Sequence, residues 1–379
     1  MAVYKSEEKT KDGRQWYYRV RKKDINGNIK EITSQKYKTK SEALEEERIF
    51  LLKRDNPLHK EFPLVAKDYF ETAKKQKKES TVLCYERDYK KHILPYFSKK
   101  YIDDITTKDI LYWKDEMDKK DFKTSYKNKA YVIFRNIMNH GVVYYGLPTN
   151  VVAICGTFKN KQDQVIKDEE KLRYITYEEF NKLVSVVDNN LYYALFHFLY
   201  YTGCRIGEVL ALNWEDINFD TREIKINKTL SEKVYGGGYA ITSTKNNLNR
   251  TIKLSQTLYD VMIQFLEERK KYTDFDIKWF IFGEYRPLPQ TTIRRYKKKY
   301  FELAEIKEIT LHEFRHSHVS LLINEYIKTS KEKNMKVDTA KFFLMMSSRM
   351  GHTIDVMQKT YMHLFPSIQD EIVDLLDNL

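Results

Sequence analysis

Arg205, Lys245, His312 with Arg315, His352 and Tyr361 supply, in chain order, two guanidiniums, one ammonium, two imidazoles and a phenol. No carboxylate or cysteine cluster at zinc spacing accompanies them, and Arg315 beside His312 would repel a cation, so no metal is expected there. In "LHEFRHSHVSLL", His312 and Arg315 stand at i, i+3, on one helix face, with His316 and His318 nearby. Such a pair suits an anion: a guanidinium for two oxygens and an imidazole for a proton or hydrogen bond. In "YTGCRIGEVLALNW" an apolar helix ends at Thr202-Gly203 and Arg205 follows where the chain re-enters helix. An arginine there needs an anion or an acidic partner if it is buried. Glu208, one turn on, can hold it, and a purely structural Arg205–Glu208 pair is the plainer reading of that stretch alone.

Lys245 lies in "ITSTKNNLNRTIKL", read as two β-prone runs around an Asn-rich turn, at whose edge an ammonium could reach an outside ligand. Tyr361 closes "GHTIDVMQKTY", nine positions after His352, and is one of 29 tyrosines. A tyrosine hydroxyl, with a pKa of about 10, is a poor nucleophile until cations stabilise its anion and the charge on its target. Phosphoryl transfer is mostly positioning and electrostatic stabilisation, so arginines here could do what metal ions do elsewhere.

The elements that must position these groups are legible from patterning. "QWYYRVRKKDINGNIKEIT" carries two β-prone runs around Asn26-Gly27, a hairpin signal. "KYKTKSEALEEERIFLLKR" predicts a third short strand and a helix capped by Ser41. From 61 to 158 the chain reads as helical: a helix from Ser80 or Thr81 to a stop at Pro95, then "TTKDILYWKDEMDKK" and "SYKNKAYVIFRNIMNHGVVYYGL". Its aromatic residues are expected in the core rather than stacked on bases. Residues 159–171 read as a polar linker. Beyond it, "TYEEFNKLVSVV" and "NLYYALFHFLYYTG" are helical, "EIKINKTL" and "RTIKLS" strand-like, and further helices follow.

At 379 residues the chain is expected to form two or three domains, 1–60, 61–158 and 172–379. Cys84, Cys155 and Cys204 form neither a disulfide framework nor a zinc pattern, which predicts a reduced, cytoplasmic setting. No signal peptide and no apolar run of about 18 residues is present, so neither export nor a membrane span is expected. The net charge of +13 is unevenly placed: residues 1–60 hold 16 basic against 10 acidic residues, 61–160 hold 19 against 13, and 161–379 hold 32 against 31. A polyanion would be gripped mainly by the first two segments. A basic sheet of the kind expected near the start can lie in a DNA major groove.

Taken together and in order, "TGCRIGE", "STK" before a turn, "HEFRHSH" and "GH" nine residues before "TY" resemble the boxes of the tyrosine recombinase (phage integrase) family over about 172–379. The basic β-plus-helix start followed by a helical segment resembles integrases of phages and conjugative transposons. The resemblance implies a multidomain, mainly α fold with small β elements: a three-stranded sheet plus helix for arm-type DNA sites, a helical domain for core-type sites, and a mixed, mainly α catalytic domain. It implies that Tyr361 attacks the scissile phosphate to give a 3′-phosphotyrosyl enzyme and a free 5′-hydroxyl. Arg205 and Arg315 would hold the non-bridging oxygens, and Lys245 would protonate the leaving oxygen. His312 would assist proton transfer at the tyrosine, His352 would hydrogen-bond the phosphate, and Glu208 would orient Arg205. No cofactor is implied, since the covalent link keeps the phosphodiester energy and resealing needs no ATP. Implied partners are double-stranded DNA, three further copies in a synaptic tetramer, and an excisionase or host DNA-bending protein, with a nucleoid-associated location in a bacterial cytoplasm and no membrane. A type IB topoisomerase and a chromosome-dimer resolvase share the chemistry, and a catalytically dead DNA-binding regulator is the alternative outside it.

Two stretches stand outside that frame. "IKTSKEKNMKVDTA", between Arg315 and His352, is read as an inserted loop. In the tail after Pro366, Ile368, Ile372, Val373, Leu375, Leu376 and Leu379 fall largely on one helix face. That stripe would pack on its own domain or, as the resemblance implies, on a neighbouring protomer.

Overall fold

In "WYYRVR" alternate side chains turn inward: Tyr18 and Val20 are buried, whereas Arg19 and Arg21 are exposed. That alternation builds strand β2 (Trp16–Lys23), the middle of an antiparallel sheet with β1 (Val3–Lys5) and β3 (Ile29–Thr33). The computed structural model describes residues 3–23, 29–55, 59–159, 172–244, 249–365 and 376. The Asn26-Gly27 turn lies outside them, but the two strands it was expected to join do pair. The third strand is not the one expected. It is β1, at the very start, while Tyr37 forms only an isolated bridge to Trp16. Helix α1 (Lys40–Asp55) covers the sheet and buries Ala43 against it. Its cap is Thr39 rather than Ser41: the Thr39 hydroxyl accepts from the Glu42 amide at 3.1 Å, and the Glu42 carboxylate accepts from the Thr39 amide at 3.3 Å. On the exposed side the Arg19 guanidinium lies over the Tyr4 and Tyr17 rings, at 5.6 and 5.4 Å.

Six helices follow: α2 (Phe62–Gln76), α3 (Glu79–His92), α4 (Leu94–Phe97), α5 (Thr107–Asp118), α6 (Thr124–Tyr145) and α7 (Val151–Cys155). Helix α3 ends at His92, and Pro95 sits in the first turn of α4, where a missing N–H costs nothing. Neither Ser80 nor Thr81 caps α3, whose N-cap is Lys78. A Thr106–Asp109 capping box starts α5, and left-handed Gly146 ends α6. Phe62, Trp113, Phe134, Ile137 and Met138 are wholly buried at the centre, as expected for core aromatics. The buried Trp113 indole N–H donates to the His92 carbonyl at 2.7 Å, which removes the cost of burying it. Tyr112 and Tyr144 are exposed.

The chain divides into two units, Met1–Glu169 and Glu170–Leu379, and the linker expected at 159–171 falls almost entirely outside the described residues. In the second unit α8 (Tyr177–Ser185) opens on a Thr176–Glu179 capping box. Helix α9 (Asn190–Thr202) is apolar on nearly every side and therefore runs through the middle of the core. Short α10 (Ile206–Leu210) follows, then the sheet β4 (Ile217–Asn218), β5 (Glu223–Ile226) and β8 (Arg250–Lys253), and the pair β6 (Lys228–Ser231) and β7 (Ala240–Ser243). The runs on either side of the Asn-rich turn thus do not pair with each other: β7 pairs with β6 and β8 with β5. Helices α11 (Gln256–Arg269), α12 (Gln290–Leu303), α13 (Glu313–Glu332), α14 (Thr339–Met350) and α15 (Ile354–Tyr361) complete the unit. Of the stretch read as an inserted loop, 327–332 finish α13 and 339–340 open α14, which leaves 333–338 as the connection between the two helices. The C-terminal stripe lies outside the described residues apart from Leu376, which is exposed. Among the described residues no helix is long and apolar enough to cross a membrane.

Candidate active site

The sharp corner between α9 and α10 is the first wall of the site. Gly203 caps α9 at φ 62°, and a Cβ there would come within 2.7 Å of the His318 ring and 2.8 Å of the Met350 methyl. The corner brings Arg205 to the N-cap of α10, where its Nη1 donates to Glu208 Oε1 at 2.9 Å. The expected pair therefore exists, but Glu208 serves two arginines. Arg250, at the start of β8, donates Nη2 to Glu208 Oε2 at 2.7 Å, and Arg250 and Glu208 are both buried. Although burial pushes the Glu208 carboxyl up, Arg250 and then Arg205 hold it below the usual carboxylate range. The Arg250 Nε also donates to the Arg349 carbonyl at 2.8 Å, which ties β8 to the end of α14.

Arg315, in the first turn of α13, is 1% exposed. Its Nη1 donates to the Gly203 carbonyl at 2.9 Å and its Nη2 to the Met350 carbonyl at 2.6 Å, while the buried Nε has no partner among the described residues. One side chain thus joins the α9–α10 corner to the α14–α15 corner. Burial, and then repulsion from Arg205, lower its pKa to about 10, low for a guanidinium that normally stays charged above 12. Glu208 pulls the other way, but the hydrogen bonds Arg315 makes among the described residues go to carbonyls rather than to a carboxylate.

His352 follows left-handed Gly351 at the end of α14, and its buried Nδ1 has no partner among the described residues. Burial, then Arg315 and Arg205, hold it neutral, down to about 3. His312, the N-cap residue of α13, is lowered by burial and by the same two arginines. Tyr361, the last residue of α15, is 1% exposed, and burial raises its hydroxyl to about 12 against the pull of Arg315. Lys245 lies outside the described residues, in the connection between β7 and β8.

Arg205, Glu208, His312, Arg315, His352 and Tyr361 are therefore gathered from three corners of one unit. Four residues that sequence reasoning gave no role complete the setting. Arg250 shares Glu208. Arg349 donates Nη2 to the Tyr201 carbonyl at 3.1 Å and Nε to His318 Nε2 at 3.2 Å, while His318 Nδ1 pairs with the Tyr200 carbonyl at 2.8 Å. The tyrosine hydroxyl pairs with His316 Nδ1 at 2.7 Å. The i, i+4 spacing of His312 and His316 puts both on one face of α13 and would have pointed to the second ring; Arg250 and Arg349 carry no such signal. The trio among the described residues that could share a cation, His59, Asp103 and Asp104, belongs to the first unit. Chemically, the site offers fixed positive charge, neutral imidazoles and one protonated phenol, the requirements for holding a phosphodiester and attacking it.

Comparison with known proteins agrees with this chemistry. Residues 173–333 match the phage integrase family, 62–118 match the phage integrase N-terminal SAM-like domain, and 5–53 match an arm DNA-binding domain. The chain belongs to the tyrosine recombinase (phage integrase) family of DNA-cutting and DNA-joining enzymes. It is 28% identical to the ICEBs1 integrase of Bacillus subtilis (strain 168) over 305 residues, 76% of this chain and 75% of that one. It is 25% identical over 337 residues to a prophage ps2 probable integrase of Lactococcus lactis, covering 83% and 82%. Among solved structures, the fold is similar to that of the Tn1549 transposon integrase in complex with a circular intermediate DNA, with a TM-score of 0.63 and 20% identity over 83% of this chain and 99% of that one.

Proposed function

We propose that this chain is the integrase of a mobile genetic element, which integrates and excises DNA through a 3′-phosphotyrosyl link at Tyr361. The observation that carries the reading is the unmet anion site. Arg205 lowers the pKa of Arg315 and both lower that of His352, Glu208 is already shared by two arginines, and the buried Arg315 Nε has no partner among the described residues. A scissile phosphate supplies the missing charge. Arg205 and Arg315 stabilise its non-bridging oxygens, His352 donates a hydrogen bond to it, and Tyr361 attacks in line. Lys245 protonates the leaving 5′-oxygen, and His312 assists at the tyrosine. Glu208 fixes Arg205.

The domain roles follow the three matched segments. Residues 1–60, with Arg19 and Arg21 exposed on the sheet, bind arm-type sites; 61–158 clamp the core site; and 172–379 catalyse. Four protomers act on two duplexes, as one tyrosine is needed per strand exchanged, with an excisionase or host DNA-bending protein setting direction and the assembly resident on the nucleoid.

The test is covalent trapping on a nicked core-site duplex in EDTA. The positive charge that would neutralise the phosphate comes from side chains, so the protein–DNA adduct should form at the same rate with and without chelator. Strict dependence on Mg²⁺ would contradict the assignment.

A further inference from the structure

We propose that His316 is a catalytic residue of this chain, its Nδ1 accepting the hydroxyl proton of Tyr361 as that oxygen attacks phosphorus. The proposal rests on the reading of Tyr361 as nucleophile and adds a group to which that reading gave no role.

The geometry is direct. His316 Nδ1 lies 2.7 Å from the Tyr361 hydroxyl, and the two rings are tilted with centroids 5.7 Å apart. Tyr361 is 1% exposed, so water cannot serve as its acceptor. A buried O–H needs an acceptor, and Nδ1 is the one in reach, which places the imidazole proton on Nε2. His312, the residue assigned to the tyrosine by resemblance, meets His316 instead: their rings are edge-to-face with centroids 5.3 Å apart. His312 is the most exposed of the three, His316 is half-buried and Tyr361 buried, so the three rings lead from the surface to the hydroxyl.

Position favours the role as well. His316 follows Arg315 on α13, so the acceptor and the phosphate's guanidinium are fixed by the same helix turn. The charged and titratable groups bearing on the pair are His312, Glu313 and Arg315, all from the start of α13. Burial and then His312 hold His316 neutral, with a pKa lowered to about 4. A base that weak does not ionise a free phenol. Proton transfer accompanies bond formation instead, because the tyrosine oxygen loses its basicity as it becomes an ester. The step balances: the Tyr361 O–P bond forms as the O–H proton passes to His316 Nδ1, and the P–O5′ bond breaks as the 5′-oxygen takes up a proton. In religation the imidazolium returns its proton to the tyrosine oxygen.

The experiment uses the full-length protein and a duplex of the element's own core junction carrying a 5′-bridging phosphorothiolate. Its thiolate leaves without a general acid, so the nucleophile's activation alone is read. Covalent trapping is followed from pH 6 to 9 for the wild type, H316A, H316N and Y361F, with DNA binding measured in parallel. The wild-type rate should be flat, because His316 stays neutral throughout. H316A and H316N should bind DNA normally but trap about 10²–10⁴-fold more slowly at pH 7, the usual worth of a positioned base. Their rates should rise about tenfold per pH unit, since attack then needs tyrosinate formed in advance. H316N keeps a polar group of similar reach, so it is the variant read if H316A does not fold. Wild-type rates in H316N, or a loss that does not change with pH, would overturn the proposal and leave His316 an orienting residue. Adduct formation by Y361F would instead refute the nucleophile assignment itself.

Discussion

A single carboxylate, Glu208, holds the cationic side of the site together. It is 1% exposed and receives both the Arg205 and the Arg250 guanidinium. Removing one partner of a buried ion pair leaves the other charge stranded, which typically costs about 3–5 kcal/mol. R250A should sit near the lower end, about 3 kcal/mol, because Arg205 remains beside Glu208. The pH dependence has a definite sign. The Glu208 carboxyl is held below its ordinary value in the folded protein, so its contribution is full above an unfolded pKa of about 4.3 and is lost as pH falls through the lowered folded value. R250A raises that folded value and should narrow the acid side of the stability profile. Urea unfolding of both proteins between pH 3 and 7 measures this, and equal stability across that range would show that Arg250 does not support Glu208. Trapping by R250A should fall less than by R205A, where loss of a preorganised donor to the phosphate typically costs about 10²–10³ in rate.

Elements differ in how far a sequence reveals them. Helices α5, α6, α8 and α9 were legible because their apolar spacing and capping residues are local, as the Thr176–Glu179 box and Gly203 illustrate. Strand pairing was not, because partner choice is settled far away in the chain. β7 and β8 flank one turn yet join different partners, since Ile224 and Ile252 must meet in the core while β6 and β7 stand apart as their own pair. The early strand β1 was missed because three residues, Val3–Lys5, carry no period worth reading. The stretch before His352 reads as a loop, yet Lys328 and Lys331 lie exposed on the last turns of α13, and only Lys333 and Lys336 sit in the connection. At the site, the ordered residue types and the family resemblance pointed to Arg205, Glu208, His312, Arg315, His352 and Tyr361, all of which lie in the second unit, while Lys245 falls outside the described residues. The His316 contact and the Arg250 clamp depend on which faces meet, and residue type alone does not say that.

At the scale of the whole molecule, electrostatics and chemistry are segregated. Residues 1–60 carry 16 basic against 10 acidic side chains, whereas 161–379 are nearly balanced, with 32 against 31. Deleting 1–60 should therefore leave core-site cleavage intact and abolish binding to a second, distant class of sites. In the intact protein, affinity for those sites should fall steeply with salt as counterions are released. Footprints of the full-length protein that reveal one class of site only would remove the arm-binding role.

The buried Tyr361 and Arg315 show what else DNA must do. With 1% exposure each, neither meets a phosphate until the groups that cover them shift, so DNA binding and uncovering of the proposed nucleophile are coupled, with the His316–Tyr361 pairing kept. The central claim is that the bond to DNA then forms at Tyr361 and at no other of the 29 tyrosines. The most direct measurement traps the full-length protein on a nicked core-site duplex, digests the adduct with protease and nuclease, and maps the nucleotide-bearing peptide by mass spectrometry. The account predicts a single 3′-phosphotyrosyl nucleotide on Tyr361, within "TIDVMQKTYMHL", and no adduct from Y361F, which should still bind the duplex. A nucleotide carried by any other residue, or an adduct that persists in Y361F, would contradict it.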